Sequence, residues 1–252
     1  MAKNSIDVSK IQRPGPSIII PARFNGPPTS ANGGYASGTF ASLCGLDFSR
    51  RAAVTLLAPV PLDMPLLLTR GRRRSQITCQ STLIATVSAL TGDSTPAEYV
   101  PMNVAQEAAK NFTGFVGHHP FSRCFVCGSE RSSEDGLRLT PGKLPGSIGL
   151  VASPWSPGSH LGDLEGNLPT ELVWSALDCP GGWACGLDRQ AMLLSRISVS
   201  ILRPGLAGLN YIVVGRLNQW HGRTASASTA LYREDGILVA KASAQWATID
   251  IA

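Results

Sequence analysis

The chain has 252 residues, of which 43% are hydrophobic and only 15% charged, and its net charge is +5. Such a composition excludes a disordered chain and predicts one large or two small domains with a sizeable core. The basic excess is small and is not interleaved with aromatic residues, so we expect no nucleic-acid partner. No apolar run is long enough to span a bilayer and no secretory signal is recognisable, which favours a cytoplasmic protein.

The first half of the chain combines one helix with several strands. Residues 1–17 are polar and punctuated by Pro and Gly, and we expect them to form a loose lead-in. A Gly- and Pro-rich turn over residues 25–34 precedes small residues at 35–46, which predict a helix packed closely against a neighbour. Residues 91–117 form a connector with a weak helical patch around residues 104–109. The predicted strands span residues 17–24, 51–57, 66–70 and 75–90.

The second half repeats this order. After a turn-rich segment over residues 117–136, a loop leads into a short, mostly buried helix over residues 169–178, whose apolar positions recur at helical spacing. Pro180-Gly-Gly182 then interrupts the helical pattern. Glu234-Asp-Gly236 predicts a hairpin turn. The predicted strands span residues 137–139, 148–152, 195–201, 211–215, 224–232 and 237–251.

A weak internal repeat relates the two halves. Residues 54–61 resemble residues 199–206 in placement and pattern. The repeat predicts a duplicated α+β unit in which each copy has one helix packed against a curved sheet. The alternative is a single mixed domain, and the pattern alone is compatible with both arrangements.

Two acids on the predicted helix at residues 169–178 are candidates for chemistry. Glu171 and Asp178 are seven residues apart, about two helical turns, so we expect them near one face. An acid on an otherwise apolar helix is costly to bury unless it is paired or used. The alternatives are an exposed polar stripe for both acids, a first-turn position favoured by the helix dipole for Glu171, and a turn cap for Asp178.

The six cysteines do not resemble a disulfide framework in a chain of this length. Cys124 and Cys127, which follow a His-His pair, have the spacing of half a zinc site, but a zinc site needs a second pair. Cys179 and Cys185 are spaced more widely and lie far along the chain. We therefore expect buried structural thiols and no metal site.

Four stretches resemble segments of acyl-CoA thioesterases with a double hotdog fold, in which a long antiparallel sheet wraps a central helix. Asn32-Gly-Gly-Tyr-Ala-Ser-Gly38 is similar to the Gly-Gly helix start of the first hotdog unit in the thioesterase II group. The other stretches are Cys124-Phe-Val-Cys-Gly128 with Asp135-Gly-Leu-Arg-Leu139, Trp174-Ser-Ala-Leu-Asp-Cys-Pro-Gly-Gly-Trp-Ala184, and residues 203–240. The resemblance implies an α+β fold of two tandem hotdog units, residues 18–110 and 111–252, after the lead-in at 1–17.

In the thioesterase II group, the resemblance implies an Asp on the second helix, a Thr and a Gln that together orient the attacking water. Asp178 matches the Asp, and Glu171 is the next candidate base. Leu194 stands near the Thr position. Ala244 stands at the Gln position and Gln245 is one residue away, so Gln245 becomes the candidate for this role.

Substrate binding is expected at glycines and arginines of the first half. Gly33 and Gly34, which follow Asn32, are expected to direct helix N-terminal amides at the oxyanion of a thioester, because glycine lets the carbonyl approach. With the acid of the second helix they would form a mixed site from both halves. Arg72 and Arg73 are expected to bind the phosphates of coenzyme A. The alternatives are a plain tight turn for the glycines and a solvated strand end for the arginines.

The resemblance implies an acyl-CoA thioesterase-like hydrolase that needs no cofactor, acts on a small-molecule acyl-CoA, and associates as a homodimer. A second hypothesis is a catalytically inactive hotdog module that binds acyl-CoA or another apolar ligand, favoured by the missing Thr and the shifted Gln. A third is an acyl-thioester dehydratase or hydratase. That reaction needs a His and an acid on the helix, and neither predicted helix contains a His.

Overall fold

The computed structural model describes residues 16–46, 50–117 and 119–250. The predicted lead-in therefore lies almost wholly outside the described residues, as do His118 and the last position of the strand predicted at 237–251. The helices of the described residues are α1 (Gly33–Leu43), α2 (Met102–Lys110), α3 (Thr170–Ala176) and α4 (Cys179–Ala184). The strands are β1 (Ser17–Ile18), β2 (Arg51–Leu56), β3 (Leu66–Thr69), β4 (Ser75–Cys79), β5 (Thr82–Leu90), β6 (Gly142–Lys143), β7 (Leu150–Trp155), β8 (Met192–Ile201), β9 (Tyr211–His221), β10 (Thr224–Arg233) and β11 (Leu238–Thr248).

These strands join one eleven-stranded sheet whose described pairings are all antiparallel. The order β1-β3-β4-β5-β2 in the first half is repeated in the second half as β7-β9-β10-β11-β8. The halves meet where β2 pairs with β8, with Val54 opposite Ile197. The internal repeat begins within these two strands, and the duplicated α+β unit predicted from it is present.

Local hydrogen bonding shortens or divides several predicted strands. Residues 75–90, predicted as one strand, form the β4–β5 hairpin, which turns at Gln80 with a φ of 53°. Of residues 17–24, the sheet includes only β1, because Pro21 has no N–H to offer a neighbouring strand and Ala22–Phe24 forms a 3-10 turn. Residues 137–139 bond instead to the backbone at Phe125 and Val126.

Helix α1 packs against α3 through glycines, as its small residues predict. A Cβ atom on Gly38 would lie 2.6 Å from Glu171 Cα, and one on Gly34 would lie 2.8 Å from the Trp174 carbonyl oxygen. The other face of α1 buries Phe40 in the main core, which the sheet and the two helices share. The contact between α1 and α3 therefore needs glycine on α1.

We expect Gly38→Ala to lower the free energy of unfolding by about 1–3 kcal/mol, because α1 and α3 must move apart to admit the methyl group. Urea unfolding checks this. Ser42→Ala is the matched control, since Ser42 is exposed on the same helix and its loss should change stability by less than about 0.5 kcal/mol. Equal stabilities for the two variants would contradict the close packing.

The helix predicted at residues 169–178 is broken before its end. α3 stops at Ala176, the backbone turns at Leu177 and Asp178, and α4 follows. The Thr229 hydroxyl donates to the Leu177 carbonyl at 2.8 Å, which satisfies one acceptor left free by the break. Glu171 therefore lies on α3, whereas Asp178 lies in the turn after it, and the expectation that they share a helical face is wrong.

Pro180-Gly-Gly182 lies inside α4, so the expectation that it interrupts the helix is also wrong. Pro180 occupies the first turn, where the missing N–H has no intrahelical partner to lose. Gly182 faces the indole of Trp246, and a Cβ there would lie 2.9 Å from the ring. Contact with β11 therefore outweighs the low helix propensity of these residues.

The connector between the halves forms α2, as the helical patch at 104–109 predicts. Ala105 and Ala108 pack in a separate cluster with Ala152, Ile212 and Val214 of β7 and β9. Packing thus places α2 on strands of the second half, whereas the predicted boundary assigns residues 18–110 to the first unit. None of the described helices is both long and apolar enough to cross a membrane.

Candidate active site between the two helices

A cavity of about 240 Å³ opens at the N-terminus of α1. Asn32 and Gly33 line it from the first half, and Asp178 lines it from the break between α3 and α4. Apolar side chains such as Leu194 and Trp246 form much of the remaining wall. The cavity therefore joins a small group of polar atoms to a mainly apolar space.

Asp178 is buried at this wall and is held by the other half of the molecule. Its Oδ2 accepts hydrogen bonds from Asn32 Nδ2 at 2.9 Å and from the Gly34 backbone N–H at 2.8 Å. Its Oδ1 has no hydrogen-bond partner among the described residues. The side chain makes no cap bond to α4, so the turn-cap interpretation of Asp178 is wrong. One oxygen anchors the carboxyl, and the other is buried without a hydrogen-bond partner among the described residues.

Asn32 fixes the position of the Asp178 carboxyl because both ends of its own side-chain amide form hydrogen bonds. Its Oδ1 caps α1 by accepting from the Tyr35 N–H at 2.9 Å, which leaves Nδ2 to donate to Asp178. The Asn32 backbone N–H donates to the Phe24 carbonyl at 2.8 Å. Asn32 thus both caps α1 and anchors the carboxyl of Asp178.

Burial raises the pKa of Asp178 to about 7, the largest effect on this group. The hydrogen bonds from Gly34 and Asn32 act in the opposite direction, because they stabilise the charged form. The perturbation is therefore mainly desolvation. A carboxyl in such surroundings is a common feature of functional sites.

The two glycines at the start of α1 have different roles. The Gly34 N–H is already used by Asp178, and a Cβ there would lie 2.5 Å from Asp178 Cβ. Gly33 lines the cavity, and its N–H makes no hydrogen bond within the described part of the chain. The free amide donor expected at this helix start is therefore Gly33, while Gly34 allows the close approach of Asp178.

The structure does not bring the other sequence-predicted residues to the cavity. Gln245 is exposed on β11, and its neighbour Trp246 faces the cavity instead. Glu171 is half-buried on the first turn of α3, beside α1, and does not line the cavity. Arg72 and Arg73 are exposed in the turn between β3 and β4, outside the cavity wall.

We expect Gln245→Ala to change the rate of thioester hydrolysis by less than about twofold, as for a surface substitution. The reason is that Gln245 does not reach the cavity that Asp178 lines. Steady-state thiol release, with the unfolding midpoint as a control for folding, checks this. A loss of tenfold or more would restore the role that the resemblance implies for this residue.

Sequence reasoning missed four residues that also line the cavity: His119, Cys124, Cys127 and Cys179. His119 Nδ1 accepts from the Phe121 N–H at 3.1 Å, so its Nε2 donates to the Cys127 carbonyl at 3.0 Å. Burial lowers the pKa of His119. The Cys-x-x-Cys spacing was a signal for the first thiol pair, but nothing in the sequence joined Cys179 to it.

Comparison with known proteins identifies the fold. No family model matches the sequence, and no curated protein matches it. A hot dog fold protein of unknown function from Alicyclobacillus acidocaldarius is 11% identical, with a TM-score of 0.53 over 94% of this chain and 93% of that one. The TesB protein from Mycobacterium avium subsp. paratuberculosis is 12% identical, with a TM-score of 0.57 over 89% of each chain. The chain has a double hotdog fold. The fold class predicted from the sequence is therefore confirmed.

Another solved structure is also similar to this chain. It is the acyl-CoA thioesterase II TesB2 from Mycobacterium marinum, which is 13% identical, with a TM-score of 0.53 over 88% of this chain and 91% of that one. In the double hotdog fold of this chain, the first unit contributes α1 and the second contributes α3 and α4. The cavity and its buried carboxyl lie where these helices meet.

Proposed function

We propose that the protein hydrolyses acyl thioesters, with acyl-coenzyme A as the substrate class and Asp178 as the general base. The observation that carries the proposal is a buried carboxyl whose Oδ1 is unpaired among the described residues, in the wall of an apolar cavity. A buried oxygen is costly to leave unpaired unless water or substrate completes it. One structural neighbour, from M. marinum, is named for this reaction, which supports the proposal.

In the proposed reaction, a water molecule bound between Asp178 Oδ1 and the thioester loses a proton to the carboxylate as it attacks the carbonyl carbon. The developing oxyanion accepts from the Gly33 N–H, and the N-terminus of α1 also favours negative charge. Collapse of the tetrahedral intermediate breaks the C–S bond. The leaving thiolate takes the proton from Asp178, which restores the carboxylate without any cofactor.

The size of the cavity limits what part of the substrate it holds. Its volume of about 240 Å³ is below the range of about 300–1,000 Å³ that is usual for pockets that enclose a drug-sized ligand. The acyl group would therefore enter the apolar space near Leu194 and Trp246, and the coenzyme A portion would remain outside. This division favours short acyl chains over long ones.

A catalytically inactive module that binds an acyl ligand is the second candidate. Leu194, which stands near the Thr position of the resemblance, lines the cavity with an apolar side chain, and Gln245 faces away. Both residues that would help Asp178 to orient water are thus missing from the wall. Binding without turnover is the result that this candidate requires.

Thiol release from acyl-CoAs of graded chain length, measured with purified wild-type protein, tests the proposal. We expect turnover to be highest for short chains and to fall once the chain exceeds the cavity. Saturable binding with no turnover at any length would support the inactive module. Neither binding nor turnover would overturn both candidates.

A further inference from the structure

Three thiols form a cluster in the cavity wall beside Asp178. Cys124, Cys127 and Cys179 are all buried, and their Sγ atoms lie within 4.8 Å of one another. The Cys124 and Cys179 sulfurs are 3.7 Å apart. Within the described residues, no other group of His, Cys, Asp and Glu brings three such atoms so close. We call these three residues the thiol cluster.

The spacing of the thiol cluster fits a shared metal ion. Tetrahedral zinc with Zn–S bonds of about 2.3 Å places its sulfur ligands about 3.8 Å apart. The Cys124 and Cys179 sulfurs already have about this separation, and the Cys127 sulfur lies within 4.8 Å of both. A disulfide needs a sulfur separation of about 2.05 Å, which no pair in the cluster has.

The turn that carries the first two thiols is fixed before any ligand binds. The Gly128 N–H donates to the Cys124 carbonyl at 2.8 Å, and a Cβ on Gly128 would lie 2.4 Å from that oxygen, so only glycine closes the turn. The Phe125 N–H donates to the Asn25 carbonyl at 2.8 Å, which ties the turn to the first unit. The sulfurs of Cys124 and Cys127 are therefore held in place by the backbone.

A hydrogen-bond donor lies beside two of the sulfurs, as is usual around ligands of a metal ion. Asn32 Nδ2 lies 3.8 Å from both Cys124 Sγ and Cys179 Sγ. One amide nitrogen is therefore within donor distance of two of the three sulfurs.

We propose that Cys124, Cys127 and Cys179 bind a zinc ion. Thiolates are soft ligands that select zinc over magnesium or calcium, and a tetrahedral sulfur-rich set is typical of zinc. The thiols lose their protons to solvent on binding. Both nitrogens of His119 are occupied by backbone groups, so His119 is not the fourth ligand. All three thiols line the cavity, so the fourth position is open to water there.

The zinc site is independent of the proposed hydrolase activity, and it can be tested separately because metal content is measured without turnover. The first experiment is elemental analysis of the purified full-length protein, with the expected result of about one zinc per chain. Zinc is then removed with a chelator under reducing conditions and replaced by Co²⁺. Three thiolates should produce a strong sulfur-to-cobalt charge-transfer band. Protein that carries no zinc and gives no such band on cobalt addition would overturn the proposal.

Two cysteine variants identify the ligands. Cys179→Ala should lose zinc and weaken the cobalt band, whereas Cys185→Ala should keep both. Cys185 is the matched control because it is a buried free thiol immediately after α4 that lies outside the thiol cluster. Equal zinc content in the two variants would overturn the assignment, as would a disulfide within the cluster in freshly purified protein. If Cys179→Ala does not fold, the cobalt band of the wild type decides the question.

Discussion

Replacing Asp178 by Asn should reduce kcat for thioester hydrolysis by about 10²–10⁴-fold, the usual contribution of a general base. The amide keeps an oxygen that can accept from Asn32 Nδ2 and the Gly34 N–H, so the contact between the two units survives. It removes only the group that takes the proton from water. The loss should therefore appear in kcat, with little change in substrate affinity. Thiol release and direct binding of an acyl-CoA measure the two quantities separately.

The matched control is Glu171→Gln, the same chemical change on the neighbouring segment. Glu171 lies on α3 outside the cavity wall, so the turnover of the Glu171→Gln variant should stay within about twofold of wild type. Both variants should unfold at similar denaturant concentrations. Full activity in Asp178→Asn would move the base elsewhere, and loss of activity in Glu171→Gln with Asp178 intact would identify Glu171 as that base.

Substitution of Asn32 should affect stability and turnover together. Asn32→Ala removes the α1 cap, worth about 1 kcal/mol, and the buried hydrogen bond to Asp178, worth about 1–3 kcal/mol. We therefore expect the free energy of unfolding to fall by about 2–4 kcal/mol. Turnover should fall at least tenfold, because Asp178 Oδ2 then keeps only the Gly34 donor and the carboxyl is free to rotate.

Asn32→Ser separates the two contributions. Serine caps helices well but is too short to reach Asp178, so this variant should recover about 1 kcal/mol of stability relative to Asn32→Ala. Its turnover should remain as low as that of the alanine variant. Recovery of turnover together with the cap would mean that Asn32 acts only through α1, and the proposed anchoring of Asp178 would be wrong. Urea unfolding and thiol release on the same samples give both readings.

The site depends on a close approach between segments from the two halves. Gly34 brings the first turn of α1 against Asp178, and Asn32 reaches across to the same carboxyl. Asp178 lies in the turn between α3 and α4, and from there its side chain reaches the first turn of α1. Duplication of the unit extended the sheet. It also placed the N-terminus of α1, from one copy, beside Asp178, from the other.

The sequence by itself predicted most of the helices and strands in each half, since periodicity and turn residues are local properties that survive into the folded chain, whereas its weak internal repeat was compatible with both a duplicated α+β unit and a single mixed domain. It also identified Asp178 and the start of α1 as partners. Only the tertiary structure decided which other residues meet them. A register shift between Gln245 and Trp246 helps to set which side chain faces the cavity, and register depends on pairing with β8. Cys179 joins Cys124 and Cys127 only because α4 packs against the turn that carries them, a contact that has no local pattern.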